Sequence, residues 1–165
     1  MKVFLVFIFI LFSGCGYKPA ANFSKNIILE NVFVDVKIDL VDPENLVIVK
    51  DSLNEMIVHK FNRTVTTKEL ADTIIYLKLK NVKFIPLRSN KDGYVIMTRA
   101  KVYYDSKVTL KDRNQEFNFL VDGSYDFAIE PNSIISDTNR FIAIDKASQK
   151  AIDKLVALIS LKGGS

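Results

Sequence analysis

VFVDVKIDLVDPENLVIVKDSLNEMIVHKF, residues 32–61, holds the transition on which the fold turns. Val32, Val34, Val36, Ile38 and Leu40 share one parity, while Asp35, Lys37 and Asp39 share the other. Period-two alternation of β-branched and charged residues predicts a strand buried on one face. The pattern stops at Asp42-Pro43-Glu44. Aspartate can cap a helix, proline suits the first helical position, and glutamate favours the positive end of the helix dipole. Leu46, Val49, Leu53, Met56, Ile57 and Phe61 then recur at threes and fours, which is one face of a helix.

Downstream, period two returns three times. TIIYLKLKNVKFIP (73–86) alternates through Ile75, Leu77 and Leu79, then shifts phase at Asn81 to Val82 and Phe84, as a β-bulge would require. GYVIMTRAKVYYDSKVTL (93–110) sets Ile96, Ala100, Val102, Tyr104 and Val108 against Arg99, Lys101, Tyr103, Asp105 and Lys107. After the turn KDRNQ, EFNFLVDGSYDFAI (116–129) aligns Phe117, Phe119, Val121, Tyr125, Phe127 and Ile129. Gly123 interrupts that apolar series, where a missing side chain lets a helix come close. A second helix is expected from near Asp137, its cap, to about Leu161, with Ile144, Ala147, Ala151, Leu155, Leu158 and Ile159 as the apolar stripe.

The expected order is therefore β-α-β-β-β-α. One apolar face per strand and one stripe per helix close as an α+β two-layer sandwich. Its four-stranded, mostly antiparallel sheet carries both helices on one face and leaves the other polar. Residues 32–162 form this single domain.

Upstream, Met1-Lys2 precedes an unbroken apolar run, Val3–Phe12, and then Ser13-Gly14-Cys15. A positive start, a short apolar core and small residues before a junction make a secretory signal over residues 1–14. Ten helical residues span roughly 15 Å, half of a hydrocarbon core of about 30 Å, which is too short to cross it. Ser13-Gly14-Cys15 resembles the lipobox of bacterial lipoproteins, although Phe12 stands where leucine is usual. That resemblance implies a lipidated Cys15, with Gly16 in place of the aspartate that retains members at the inner membrane. The address it implies is the periplasmic face of the outer membrane. Residues 15–31 are then the lipidated N-terminus and a tether.

Cys15 is the only cysteine and His59 the only histidine. Neither a disulfide nor a metal site can be assembled from such a set, and His59 has no orienting partner in its helix. No GxSxG, HExxH, P-loop or GxGxxG is present, and Asp35 with Asp39, or Asp122 with Asp126, are solvated neighbours on a strand. No cofactor and no enzymatic activity are expected. A formal charge of +4 is too slight for nucleic acid, and suits an anionic partner such as phosphorylated lipid. The cations Lys78, Lys80, Lys83, Arg99, Lys101 and Lys107 fall on the polar parity and would form a patch for such a ligand. The competing expectation is that Asp105, Asp122 and Asp126 neutralise them across the strands.

Cys15-Gly16-Tyr17-Lys18-Pro19, followed by the strand and helix of residues 32–58, resembles the lipopolysaccharide-assembly lipoprotein family LptE. The resemblance implies two helices on a four-stranded sheet. It also implies a non-enzymatic role as a plug inside the outer-membrane β-barrel LptD, assisting barrel assembly and lipopolysaccharide insertion into the outer leaflet. Only Cys15 is carried over from the family as a site. The other class with this size and layout is the auxiliary lipoprotein of lipid-transport ABC systems.

Overall fold

The computed structural model describes residues 27–38, 43–130 and 134–163. Cys15, the signal segment, Leu40, the Asp42 cap and most of the tether lie outside them. Strand β1 (Asn31–Ile38) leads into helix α1 (Pro43–His59), then β2 (Thr64–Val65). The long strands β3 (Thr73–Ser89), β4 (Val95–Leu110) and β5 (Gln115–Ala128) follow, and helix α2 (Asp137–Gly163) closes the chain.

The sheet order is β2-β1-β3-β4-β5. It has five strands and is mixed, which corrects the expectation of four mostly antiparallel ones. Strand β2 is two residues long, too short to show a period, and pairs parallel with β1 through Asn31–Thr64 and Val32–Val65. Strand β1 also runs parallel to β3, because α1 carries the chain back to the end from which β1 started. The β3–β4 and β4–β5 pairs are antiparallel. The register slips between Leu79 and Asn81, where the phase shift in sequence predicts a bulge.

Both helices cover the same face. Val32, Val34, Val36, Ile75, Leu77, Leu79, Val102, Tyr104, Val108 and Val121 are buried beneath Val49, Leu53, Met56 and Ile57 of α1, with Phe61 just beyond it, and Ala147, Ala151, Leu155 and Ile159 of α2. The α2 stripe is rotated slightly from the expected one. Ala143, Ser148, Ile152 and Val156 are buried, whereas Ile144 and Leu158 are only partly so. Its cap is Ser136, not Asp137: the Ser136 hydroxyl accepts from the Asn139 amide at 3.2 Å, satisfying one free N–H of the first turn. Packing also starts earlier than residue 32, since Ile27 and Ile28 are fully buried within the segment assigned to the tether.

Two contacts set the distance between the layers. At Gly123 a β-carbon would sit 2.6 Å from the Ala151 amide nitrogen and still closer to the Ala147 carbonyl oxygen. Both obstacles are backbone, so neither can rotate away. Nearby, the buried Tyr104 hydroxyl meets Ser148 Oγ at 2.7 Å, and Ser148 Oγ in turn donates to the Ile144 carbonyl, also at 2.7 Å. Tyrosine is therefore the donor in the first bond, and burial pushes its pKa up to about 12.

Gly123→Ala should cost at least about 3 kcal/mol, the upper end for forced overpacking, in urea unfolding of the folded domain. An ordinary tyrosine pKa of 10 in the unfolded chain means that Tyr104 contributes stability below pH 10 and loses it as pH rises towards 12. Thermal unfolding of wild type against Tyr104→Phe across that range should show the difference shrinking.

Candidate functional site

The face of the sheet turned away from the helices carries the side chains at the charged parity. Strand register fixes their rows: Asp35, Tyr76 and Lys107 lie side by side, as do Lys37, Lys78 and Asp105. Further along, Lys83 faces Lys101, and Arg99 faces Asp126. The six expected cations are thus brought onto one surface, with Lys80 at the bulge.

Most of these cations have carboxylate partners. Arg99 grips Asp126 with two bonds, Nε to Oδ1 at 2.6 Å and an Nη to Oδ2 at 2.8 Å. Lys80 pairs with Asp105 at 3.0 Å, Lys107 with Glu116 at 3.1 Å and Lys101 with Asp122 at 3.4 Å. The expected cross-strand neutralisation is therefore present, and Glu116 joins the three aspartates. Lys78 lies directly opposite Asp105 in the register. Lys83 and Lys101 are like charges face to face, and both ammonium groups lean over the Tyr103 ring, 5.8 and 4.9 Å from its centroid. An aromatic face attracts cations, which eases the repulsion of an opposed pair. Lys37 lies over Tyr76 in the same way, at 5.7 Å.

Asp122 has a second cation. Lys154 of α2 reaches round the open side of β5 to bond it, tying the helix layer to the far face of the sheet. Lys154 and then Lys101 hold the Asp122 carboxyl below its ordinary pKa, and Arg99 does the same for Asp126. The Lys101 ammonium is held above its usual value by Tyr103 and then Asp122.

The surface is not flat. Tyr76, Lys78, Asp105, Lys107, Asn118 and Leu120 line an open hollow of about 500 Å³. Leu120 is 79% exposed on its rim, an apolar side chain on a charged face. Tyr103 stands on the polar parity of the sequence pattern, whereas Asn118 and Leu120 were not singled out there. Leu120 is hidden inside the run Phe119-Leu120-Val121, where consecutive apolar residues mask the alternation. Parity alone could have exposed it. Among the described residues no cluster of three or more histidine, cysteine or acidic side chains could hold a metal ion. No described helix is long and apolar enough to cross a membrane.

No family model matches the sequence, and no curated protein matches it. Solved structures share its architecture. Rare lipoprotein B from Shewanella oneidensis superposes with a TM-score of 0.53 at 11% identity, covering 79% of this chain and 95% of that one. The fold is shared with bacterial lipoproteins. Lipoprotein B from Nitrosomonas europaea gives 0.51 at 15% identity over 91% of this chain and 95% of its own. A candidate lipoprotein from Caulobacter crescentus gives 0.55 at 9% identity, covering 88% and 98%. At such identities the likeness is one of fold and reaches no particular family.

Because Asp122 and Asp126 are depressed below 3.8, their pairs contribute stability above that value, which is lost as pH falls through the lowered folded-state pKa values. Thermal melts between pH 5 and about 2 should therefore show a decline that is shallower in Asp126→Asn, the variant starting from a lower plateau.

Proposed function

We propose that this chain is an outer-membrane lipoprotein, held at the periplasmic face through Cys15, that plugs the LptD β-barrel, helps it assemble and assists lipopolysaccharide insertion. The role is non-enzymatic. The observation that carries the reading is the outer sheet face, a broad polar surface whose charges are largely paired in place. A barrel lumen is polar, and a domain seated there must present polar groups to it. Charges already paired need no new partner when bulk water is displaced, whereas bare cations would bring an uncompensated desolvation cost. Lys37, Lys78, Lys80, Lys83, Arg99, Lys101 and Lys107 outnumber Asp35, Asp105, Asp122, Asp126 and Glu116, leaving this face a net positive charge for lipid phosphates. The shared lipoprotein fold and the lipobox-like N-terminus support the anchored location.

Affinity purification from detergent-solubilised outer membranes should recover a large β-barrel at a one-to-one ratio. Recovery of periplasmic transporter subunits in its place would overturn the plug and favour the auxiliary-lipoprotein role in a lipid-transport ABC system. Cys15→Ser should move the protein from the membrane to the soluble periplasmic fraction. For the lipid contact, Lys83→Glu is the informative variant. It converts the Lys83–Lys101 repulsion into an attraction, so the melting temperature should hold or rise slightly while lipopolysaccharide binding falls several-fold. Unchanged binding would remove this face as the lipid contact.

A further inference from the structure

We infer that the open edge of β5 is a self-association surface, on which a second copy of this chain pairs antiparallel about a two-fold axis through Leu120. The sheet has two long free edges among the described residues, and they differ. Strand β1 reaches only Leu79 of β3, so the rest of β3 is an edge. That stretch is broken by bulges beside Lys80 and Arg88 and contains Pro86, which has no N–H. Bulges, lysines and proline are how natural edges are blunted against pairing. Strand β5 is the outermost strand and has none of these: its register with β4 runs from Gln115 to Ala128 without a shift.

The direction of its free backbone groups follows from one bond. The Ile129 amide donates to the Ile96 carbonyl directly opposite, so odd-numbered residues of β5 exchange bonds with β4. Glu116, Asn118, Leu120, Asp122 and Ser124 therefore send their N–H and C=O groups outward. Water can satisfy such an alternating row group by group, and another extended backbone matches it as a whole.

The side chains select which backbone. Pairing centred on Leu120 sets Leu120 against its counterpart, Phe119 against Val121, Asn118 against Asp122, Phe117 against Gly123 and Glu116 against Ser124. No like charges are directly opposed. On the helix side Phe119 meets Val121, an aromatic–aliphatic pair. On the other face the exposed Leu120 meets its twin at the rim of the hollow. Lys154, which folds over this edge at Asp122, must swing aside. One strand joint buries less than a stable interface of about 1,000 Å² needs, so the dimer is weak in free solution. Confinement to a membrane raises the effective concentration. That last step rests on the lipid anchor proposed above, and the pairing is between copies not seated in a barrel, whose lumen would enclose this edge.

Crosslinking in native membranes tests the pairing. Cys15 is the only cysteine, so once it is acylated an introduced thiol is the sole free one. Opposed hydrogen-bonded residues have Cα atoms about 5.5 Å apart, within disulfide range, so Leu120→Cys should oxidise to a band of twice the monomer mass. Asn118→Cys lies about 14 Å from its counterpart in this register and should crosslink at least five-fold less. No dimer band from Leu120→Cys in folded, membrane-bound protein would overturn the proposal. Equal bands at both positions would do so too, as random collision, and so would a heavier adduct alone, which would mark a different partner. A dimer band from the unaltered chain would reveal a free Cys15 thiol and count against lipidation, not pairing. Cys15→Ser carrying each variant, purified and concentrated, then repeats the comparison.

Discussion

Helix α2 lies so close to β5 that only a glycine fits between them. Gly123 faces the Ala147 carbonyl and Ala151 amide directly, and the small residues on both sides let backbone meet backbone. The rest of the layer takes its spacing from this contact. At that distance Tyr104 can donate a hydrogen bond to Ser148, Leu155 and Ile159 reach the sheet, and Lys154 is long enough to pass round the edge to Asp122. A wider gap would leave the tyrosine hydroxyl buried without a partner, which costs more than the bond itself contributes. One absent side chain thus couples the helix layer to the charged face on the opposite side of the sheet.

The charged face follows a different logic. Its cations are held by carboxylates on the adjacent strand, directly opposite or one same-face position along, and each exposed pair contributes little on its own. What the pairing achieves is a surface that is polar but not strongly charged, in which a lysine pair over Tyr103 and the hollow near Tyr76 are the irregular points. A surface of this kind tolerates a polar enclosure. It still retains a net positive charge able to meet phosphate, and the proposed role beside lipopolysaccharide draws on this combination more than on any single residue.

Strand parity, the amphipathic stripes, the bulge at Lys80 and the special place of Gly123 were all legible in the chain before any coordinates, because each is a local periodicity or its interruption. The six cations were legible as sharing a face for the same reason. Three features were not. Strand β2 is too short to have a period. The parallel pairing of β1 with β3 depends on where α1 returns the chain, which is a property of the whole path. Leu120 is masked by its apolar neighbours Phe119 and Val121; its parity points to the charged side, and the register beside Asp105 places it there.

Sequence alone therefore determined which side of each element is buried and raised the proposal of a lipid anchor at Cys15, since burial parity and a lipobox-like junction are written within a few consecutive residues. Tertiary structure decided which charges neutralise one another and which edge of the sheet stays open. Both depend on strand order and register, and those are set by contacts between residues tens of positions apart, as between Lys80 and Asp105 or Asp122 and Lys154.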